Sequence, residues 1–205
     1  MPLRSLFPTL LYTAPLAAAS GPGLARRLLR ECLQLRADDD AGRRWSRDRY
    51  RGGYTSYGSA SRMHELSPTF AVLARRLDRH VRAFARALEL DLTGRPLSMT
   101  DCWVNVMPPG VAHTSHLHPL STISGTYYVR TPRGCAGLKL EDPRLERMMA
   151  APPRRARGTG GVAHWVVVPA RAGQLVLFES WLRHEVPANA GSGERVSISF
   201  NYSWF

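Results

Sequence analysis

Cysteine is scarce in this 205-residue sequence. Cys32, Cys102 and Cys135 are an odd number, lie far apart and include no C-x-x-C pair, which argues against a disulfide framework and a cysteine zinc site. A reducing cytoplasm fits that usage. No apolar run approaches the ~20 residues of a membrane span, so no membrane partner is expected. The stretch from Met1 to Ser20 imitates a signal peptide through an arginine and Ala17-Ala18-Ala19, but Pro8 and Pro15 interrupt it. Acidic residues number 16 against 28 basic, and Lys139 is the only lysine, so the net charge of +12 is carried by arginine. Apolar residues at 44% and charged residues at 21% are near the globular average, which excludes wholesale disorder, collagen-like repetition and coiled coil.

Basic excess suits nucleic acid when it is focused into a stripe. Here it is spread over Arg26, Arg27, Arg30, Arg43, Arg44, Arg75, Arg76, Arg79, Arg154, Arg155 and Arg157, with no zinc-finger, helix-turn-helix or RNA-binding signature. Solvated helix faces explain it, and a nucleic-acid partner is not expected.

The first half of the chain reads as helix and loop. Leu24, Leu28, Leu29, Cys32 and Leu33 make one apolar helical stripe. Asp38 to Gly58 is polar and rich in Gly and Tyr and reads as a loop. Its Tyr54-Thr55-Ser56-Tyr57 cluster is a source of hydroxyls for a pocket. A second helix is signalled by Ser67 as N-cap, Pro68 at N1 and an apolar face of Phe70, Leu73, Leu77, Val81, Phe84 and Leu88. From Ser98 the texture becomes short β-branched and aromatic runs. Strands are predicted at about Met99–Met107, Ile123–Arg130, Gly137–Leu140, His164–Val168, Gln174–Phe178 and Arg195–Tyr202. Successive strands without intervening helices predict a mainly β fold of the jelly-roll type. Residues 1–97 are expected to form a helical and loop support for a β core over 98–205, as one compact unit.

The chemistry is concentrated in that second half. His113-Thr-Ser-His116-Leu-His118-Pro119 places three imidazoles in six residues beside a predicted strand. On an extended chain His116 and His118 point the same way, so two nitrogens reach one metal. His184, after the strand beginning near Gln174, is the third member of a facial set that leaves open positions for substrate and oxygen. Arg195 follows eleven residues later on the closing strand, offering a planar fork to a carboxylate, and Ser197 faces the same side. Their competing readings are solvated loop histidines and a surface ion pair of Arg195 with Glu194 or Glu185.

These motifs resemble the iron(II)/2-oxoglutarate-dependent oxygenases, and most closely a family of small bacterial members. The resemblance is carried by Trp103-Val-Asn105, His116-Leu-His118-Pro119, Ser124-Gly125-Thr-Tyr127-Tyr128-Val129, Glu141-Asp142-Pro143-Arg144, Gly173 to His184 and Glu194-Arg195-Val-Ser197-Ile-Ser-Phe200-Asn201, with Leu6-Phe7-Pro8-Thr9 at the start. It implies a double-stranded β-helix, a cupin-like jelly roll, with iron near one mouth. It also implies Fe(II) as cofactor, with 2-oxoglutarate and O2 consumed to hydroxylate an aliphatic carbon. His116 and His184 match its two histidine positions, Arg195 its distal-carboxylate arginine and Ser197 that arginine's companion.

His118 departs from the common triad, which has aspartate there. It is read as a third nitrogen ligand, or as turned away to leave two ligands and water; His113 is a weaker ligand candidate because three residues separate it from His116. Asn105 and Tyr127 are candidates for bonding cosubstrate or substrate at the mouth. Trp103, Phe178, Trp181 and Phe200 are read as core. The expected substrate is an amino acid, peptide or small metabolite, with Tyr54 and the basic loop at Arg155 bounding its entrance. Two alternatives compete: a three-histidine cupin dioxygenase that does not use 2-oxoglutarate, and a non-catalytic jelly-roll binding module. Oligomeric state is left open, a homodimer being one option.

Overall fold

The computed structural model describes residues 4–16, 21–152 and 163–204. Arg154, Arg155, Arg157 and the Ala17-Ala18-Ala19 run fall outside them. The helices are α1 (Gly21–Asp38), α2 (Asp40–Arg49), α3 (Met63–Leu66) and α4 (Pro68–Ala87), with a 3₁₀ turn at Leu145–Met148. The strands are β1 (Tyr12–Pro15), β2 (Tyr54–Thr55), β3 (Ser98–Met107), β4 (His113–His116), β5 (Ile123–Arg130), β6 (Leu138–Glu141), β7 (Trp165–Val168), β8 (Gln174–Glu179), β9 (His184–Val186) and β10 (Arg195–Ser203).

Two antiparallel sheets result, one in the order β1-β8-β5-β10-β3-β2 and one in the order β4-β9-β6-β7. The expected jelly roll is met in part: the chain mixes helices with two facing sheets, and among the described residues no strand pairing joins them into a closed barrel. β1 and β2, from the half read as support, both enter the larger sheet.

Alternation along each strand divides the larger sheet into two apolar faces. Val104, Val106, Ile123, Tyr127, Leu175, Leu177, Ile198 and Phe200 point one way, into a cluster with Leu28 of α1 and Phe70, Leu73, Leu77 and Phe84 of α4. The opposite face sends Met107, Tyr128, Val176 and Phe178 toward Leu138, Leu140, Val168 and Val186 of the smaller sheet. Helix α4 starts as its sequence predicts, with Ser67 Oγ accepting from the Thr69 and Phe70 amides and Pro68 in the first turn.

Part of the stretch read as a loop is helix α2. Asp39 caps it by accepting from Gly42 N–H at 2.8 Å, and also receives the Tyr54 hydroxyl at 2.8 Å. The cap offsets the weak apolar pattern of Asp40–Arg49. The histidine loop and the exit after β8 are likewise more ordered than their turn-rich sequences suggest, because β4 and β9 pair with each other, His116 opposite His184.

Candidate metal centre

That pairing brings two imidazoles together across a ladder, and the turn after β4 returns His118 to the same point. The candidate ligand atoms of His116, His118 and His184 all lie within 4.8 Å of one another. The His118 and His184 rings are parallel to within 8°, and their Nε2 atoms are 3.3 Å apart, a separation two ligands of one metal span at bond lengths of about 2.1 Å.

Hydrogen bonds at the far side of two rings orient the set. His116 Nδ1 lies 2.7 Å from the Thr114 carbonyl and His184 Nδ1 2.9 Å from that of Leu182. A carbonyl only accepts, so both Nδ1 atoms carry the proton and both Nε2 atoms present lone pairs. Burial lowers the pKa of every member, aided by the neighbouring imidazoles: to about 4 for His118 and about 3 for His184. His116 falls for the same first reason, burial. The three rings are therefore neutral near pH 7, the state a metal needs.

The histidines open onto a cavity of about 40 Å³, lined also by Trp103, Asn105, Thr126, Phe178, Arg195 and Ser197. Its polar wall is under-satisfied: Arg195 Nε, Asn105 Oδ1 and Thr126 Oγ1 are buried without a hydrogen-bond partner. Such groups cluster where a ligand completes them. Arg195 is 3% exposed, and its guanidinium stands 4.9 Å over the Tyr128 ring. It has no acidic partner among the described residues, because the two carboxylates read as candidates are taken. Glu194 pairs with Arg36 and, at 2.9 Å, with Arg130, while Glu185 pairs with Lys139 at 2.7 Å. Burial pushes the nearby Tyr50 phenol up to about 12, against the pull of Arg195's positive charge, so Tyr50 adds no negative charge.

The sequence-predicted residues His116, His118, His184, Asn105, Arg195 and Ser197 are thus brought together. Asn105 pairs opposite Ser197 across β3 and β10 and donates to Ser199 Oγ at 3.0 Å. Tyr127 is not brought in. It points to the helix-side cluster beneath α4, and Thr126 and Tyr128 take the site face of β5. Pairing decides this, since Tyr128 lies opposite Ser197 whereas Tyr127 lies opposite Ile198. His113 stands outside the triad, its ring 4.4 Å from that of His116 and 5.0 Å from that of Tyr50. Trp103 and Phe178, read as core, line the cavity, Phe200 is core, and Trp181 is 46% exposed. Tyr54 is buried against Asp39, leaving Tyr57, edge-on to Trp103 at 5.1 Å, as the exposed aromatic near the site. Arg155 lies outside the described residues.

Comparison with known proteins agrees with this geometry. Residues 101–201 match the family described as "Putative 2OG-Fe(II) oxygenase". Among curated protein sequences none matches. Solved structures with similar folds include a prolyl-4-hydroxylase from Pseudomonas putida, 18% identical, TM-score 0.60, covering 95% of this chain and 92% of that one. They also include the non-heme alpha ketoglutarate dependent epimerase SnoN, 18% identical, TM-score 0.62, covering 95% and 77%. A third is HygX from Streptomyces hygroscopicus, solved with nickel, 2-oxoglutarate and hygromycin B, 17% identical, TM-score 0.61, covering 95% and 83%. No helix among the described residues is long and apolar enough to cross a membrane. Two facing sheets and a three-histidine cluster between their strands thus lie in a fold similar to that of these solved structures, and the match to the oxygenase family spans residues 101–201, just under half of the chain.

Proposed function

We propose that this protein is an iron(II)-dependent oxygenase whose metal is held by His116, His118 and His184 and whose Arg195 receives a carboxylate. In this reading residues 98–205 carry the reaction and residues 1–97 support them. The observation that carries it is the juxtaposition of three neutral imidazoles with a buried arginine that lacks an acidic partner, in one cavity. The donor set fits a mononuclear iron site that keeps open positions. When bound, iron supplies activation of O2 for attack on an otherwise inert C–H bond.

The protein's own residues do the rest. Arg195 and Ser197 fix the carboxylate by charge-assisted bonds in a site with little water. Asn105 and Thr126 offer further polar contacts to the same ligand, and Trp103 and Phe178 wall the metal side so that an aliphatic carbon packs there. The structural relatives solved with 2-oxoglutarate favour that dicarboxylate as the occupant, with O2 as co-reactant and hydroxylation of an amino acid, peptide or small metabolite as the outcome. A second reading has support of its own. Three neutral histidines without a carboxylate suit a cupin dioxygenase that takes no 2-oxoglutarate and binds its substrate's own carboxylate on Arg195.

Anaerobic titration of chelator-treated protein with Fe(II) and then 2-oxoglutarate separates them, with Arg195→Leu in parallel. A weak visible charge-transfer band saturating at one equivalent, and weakened in the variant, supports the 2-oxoglutarate reading. Iron binding without a band, together with O2 uptake that needs no 2-oxoglutarate, supports the second. Failure to bind iron removes both and leaves a binding module.

A further inference from the structure

The Tyr54-Thr55-Ser56-Tyr57 cluster singled out in the sequence has no part in the reading above, yet Tyr57 belongs to a run of aromatic rings that starts at a candidate ligand. Trp103 lies against His118 with ring centroids 5.7 Å apart, and Tyr57 lies edge-on to Trp103 at 5.1 Å. Trp45 of α2 stands beyond Tyr57 at 6.2 Å. Each step is within ordinary aromatic contact distance. Trp103 is 5% exposed and Tyr57 48%, so the run leads from the histidines to solvent in two steps.

The backbone fixes this line. Trp103 faces the cavity from β3, and on both sides of it the strand is tied to the segment that carries Tyr57. The Ser56 amide donates to the Val104 carbonyl at 3.0 Å, the Val104 amide to Ser56 Oγ at 3.1 Å and the Cys102 amide to the Ser61 carbonyl at 2.6 Å. Gly58 lets Trp45 close over the turn, since a Cβ there would overlap the indole ring. The other rings beside the histidines do not reach solvent. Phe178, 4.6 Å from His184, is buried and hard to oxidise, and the branch from His116 through His113 to Tyr50 ends at a side chain 3% exposed.

Tryptophan and tyrosine are among the side chains that most readily give up one electron, and rings in contact exchange electrons quickly. A centre able to attack inert C–H bonds also attacks its own walls when no substrate is present, and Trp103 is such a wall. We infer that Trp103 and Tyr57 form an electron-transfer path that refills the iron centre from a reductant in solution when its oxidising power is not spent on substrate. This rests on the metal reading above and on neither choice of cosubstrate. With hydrogen peroxide as oxidant and ascorbate as reductant, the O–O bond breaks at the iron, and two electrons and two protons complete two waters. The electrons arrive singly from Trp103, which Tyr57 refills while its phenolic proton passes to solvent. Ascorbate then returns a hydrogen atom to the Tyr57 oxygen after each transfer and is itself oxidised to dehydroascorbate.

The test uses the full chain loaded with Fe(II), with Zn(II)-loaded protein as the redox-inert control, and one equivalent of hydrogen peroxide. Freeze-quenched EPR reads the radical, and peptide mass spectrometry reads oxygen added to Trp103. Iron-loaded wild type is expected to give a tyrosyl signal that ascorbate quenches and that the zinc form lacks. Tyr57→Phe keeps the ring, so metal affinity and thermal melt are expected at wild-type values. Its tyrosyl signal should be lost, and oxidation of Trp103 should rise several-fold and resist ascorbate. Trp103→Phe retains Tyr57 and should also lose the signal, whereas diffusing hydroxyl radicals would leave it. If iron-loaded wild type gives no tyrosyl signal, if Trp103→Phe keeps it, or if Tyr57→Phe matches wild type in both readouts, the path is overturned and the metal reading stands. If wild type binds neither metal in the loading titration, both fall.

Discussion

Arg195→Met should make the protein more stable and unable to take a carboxylate. Arg195 is 3% exposed, its Nε is buried without an acceptor, and both nearby carboxylates are paired elsewhere. An isolated buried ion carries an effective desolvation cost of several kcal/mol. The stacking of its guanidinium over Tyr128 at 4.9 Å offsets roughly 2 kcal/mol of that. Methionine fills similar volume without charge, so the net gain is on the order of 1–3 kcal/mol. At this chain length each kcal/mol moves Tm by about 2–4 °C, which makes the shift easy to read in a thermal melt. The same melt run with 2-oxoglutarate tests the function: a ligand at a hundred times its Kd adds about 2.7 kcal/mol to wild type and nothing to the variant. A variant that melts below wild type would show that Arg195 serves the fold. An equal ligand shift in both proteins would show that the carboxylate binds elsewhere.

Three further outcomes follow from the packing and the site. His118→Ala should reduce Fe(II) affinity by at least about tenfold in an anaerobic titration, and unchanged affinity would mean that His116 and His184 suffice. Gly125→Ala should destabilise by about 1–3 kcal/mol in denaturant unfolding, because its Cβ would fall 2.6 Å from both Leu177 Cδ2 and Phe200 Cε2 in a fully buried cluster; full stability would mean that both side chains have room to shift. Burial by itself would raise the Asp39 carboxyl, but bonds from Ser59, the Gly42 amide and Tyr54 together with Arg43 hold it below its usual range. A depressed folded pKa gives stability that is present above the unfolded value of about 3.9 and lost as pH falls below it, so Asp39→Asn should flatten the acid limb of a stability-versus-pH curve. An unaltered limb would remove Asp39 from acid unfolding.

How much of this was legible in the sequence depended on where the constraint on each residue lies. Helix α4 and the long strands β3, β5 and β10 announce themselves because their apolar period and capping residues are local. The triad was legible for a similar reason: H-x-H on an extended chain is a statement about neighbours, and His184 needs only a strand to deliver it. Helix α2 was not legible, since its support comes from Asp39, held by Tyr54 fifteen residues on. Tyr127 and Tyr128 show the limit most clearly. Alternation says that one faces the helices and the other the smaller sheet, but it cannot say which, and a one-residue slip exchanges them. The answer lies in β10, where Ser197 sits opposite Tyr128. That register, shifted by a bulge between Val196 and Ser197, is set by pairing across nearly 70 positions of sequence. The buried Asp101–Asn201–Ser124 chain was hidden for the same reason. Asp101 and Asn201 are unremarkable strand residues until β3 and β10 pair and bring Asn201 Nδ2 to 3.2 Å from Asp101 Oδ2. Local pattern therefore finds the candidate ligands, and strand register finds which neighbours face them.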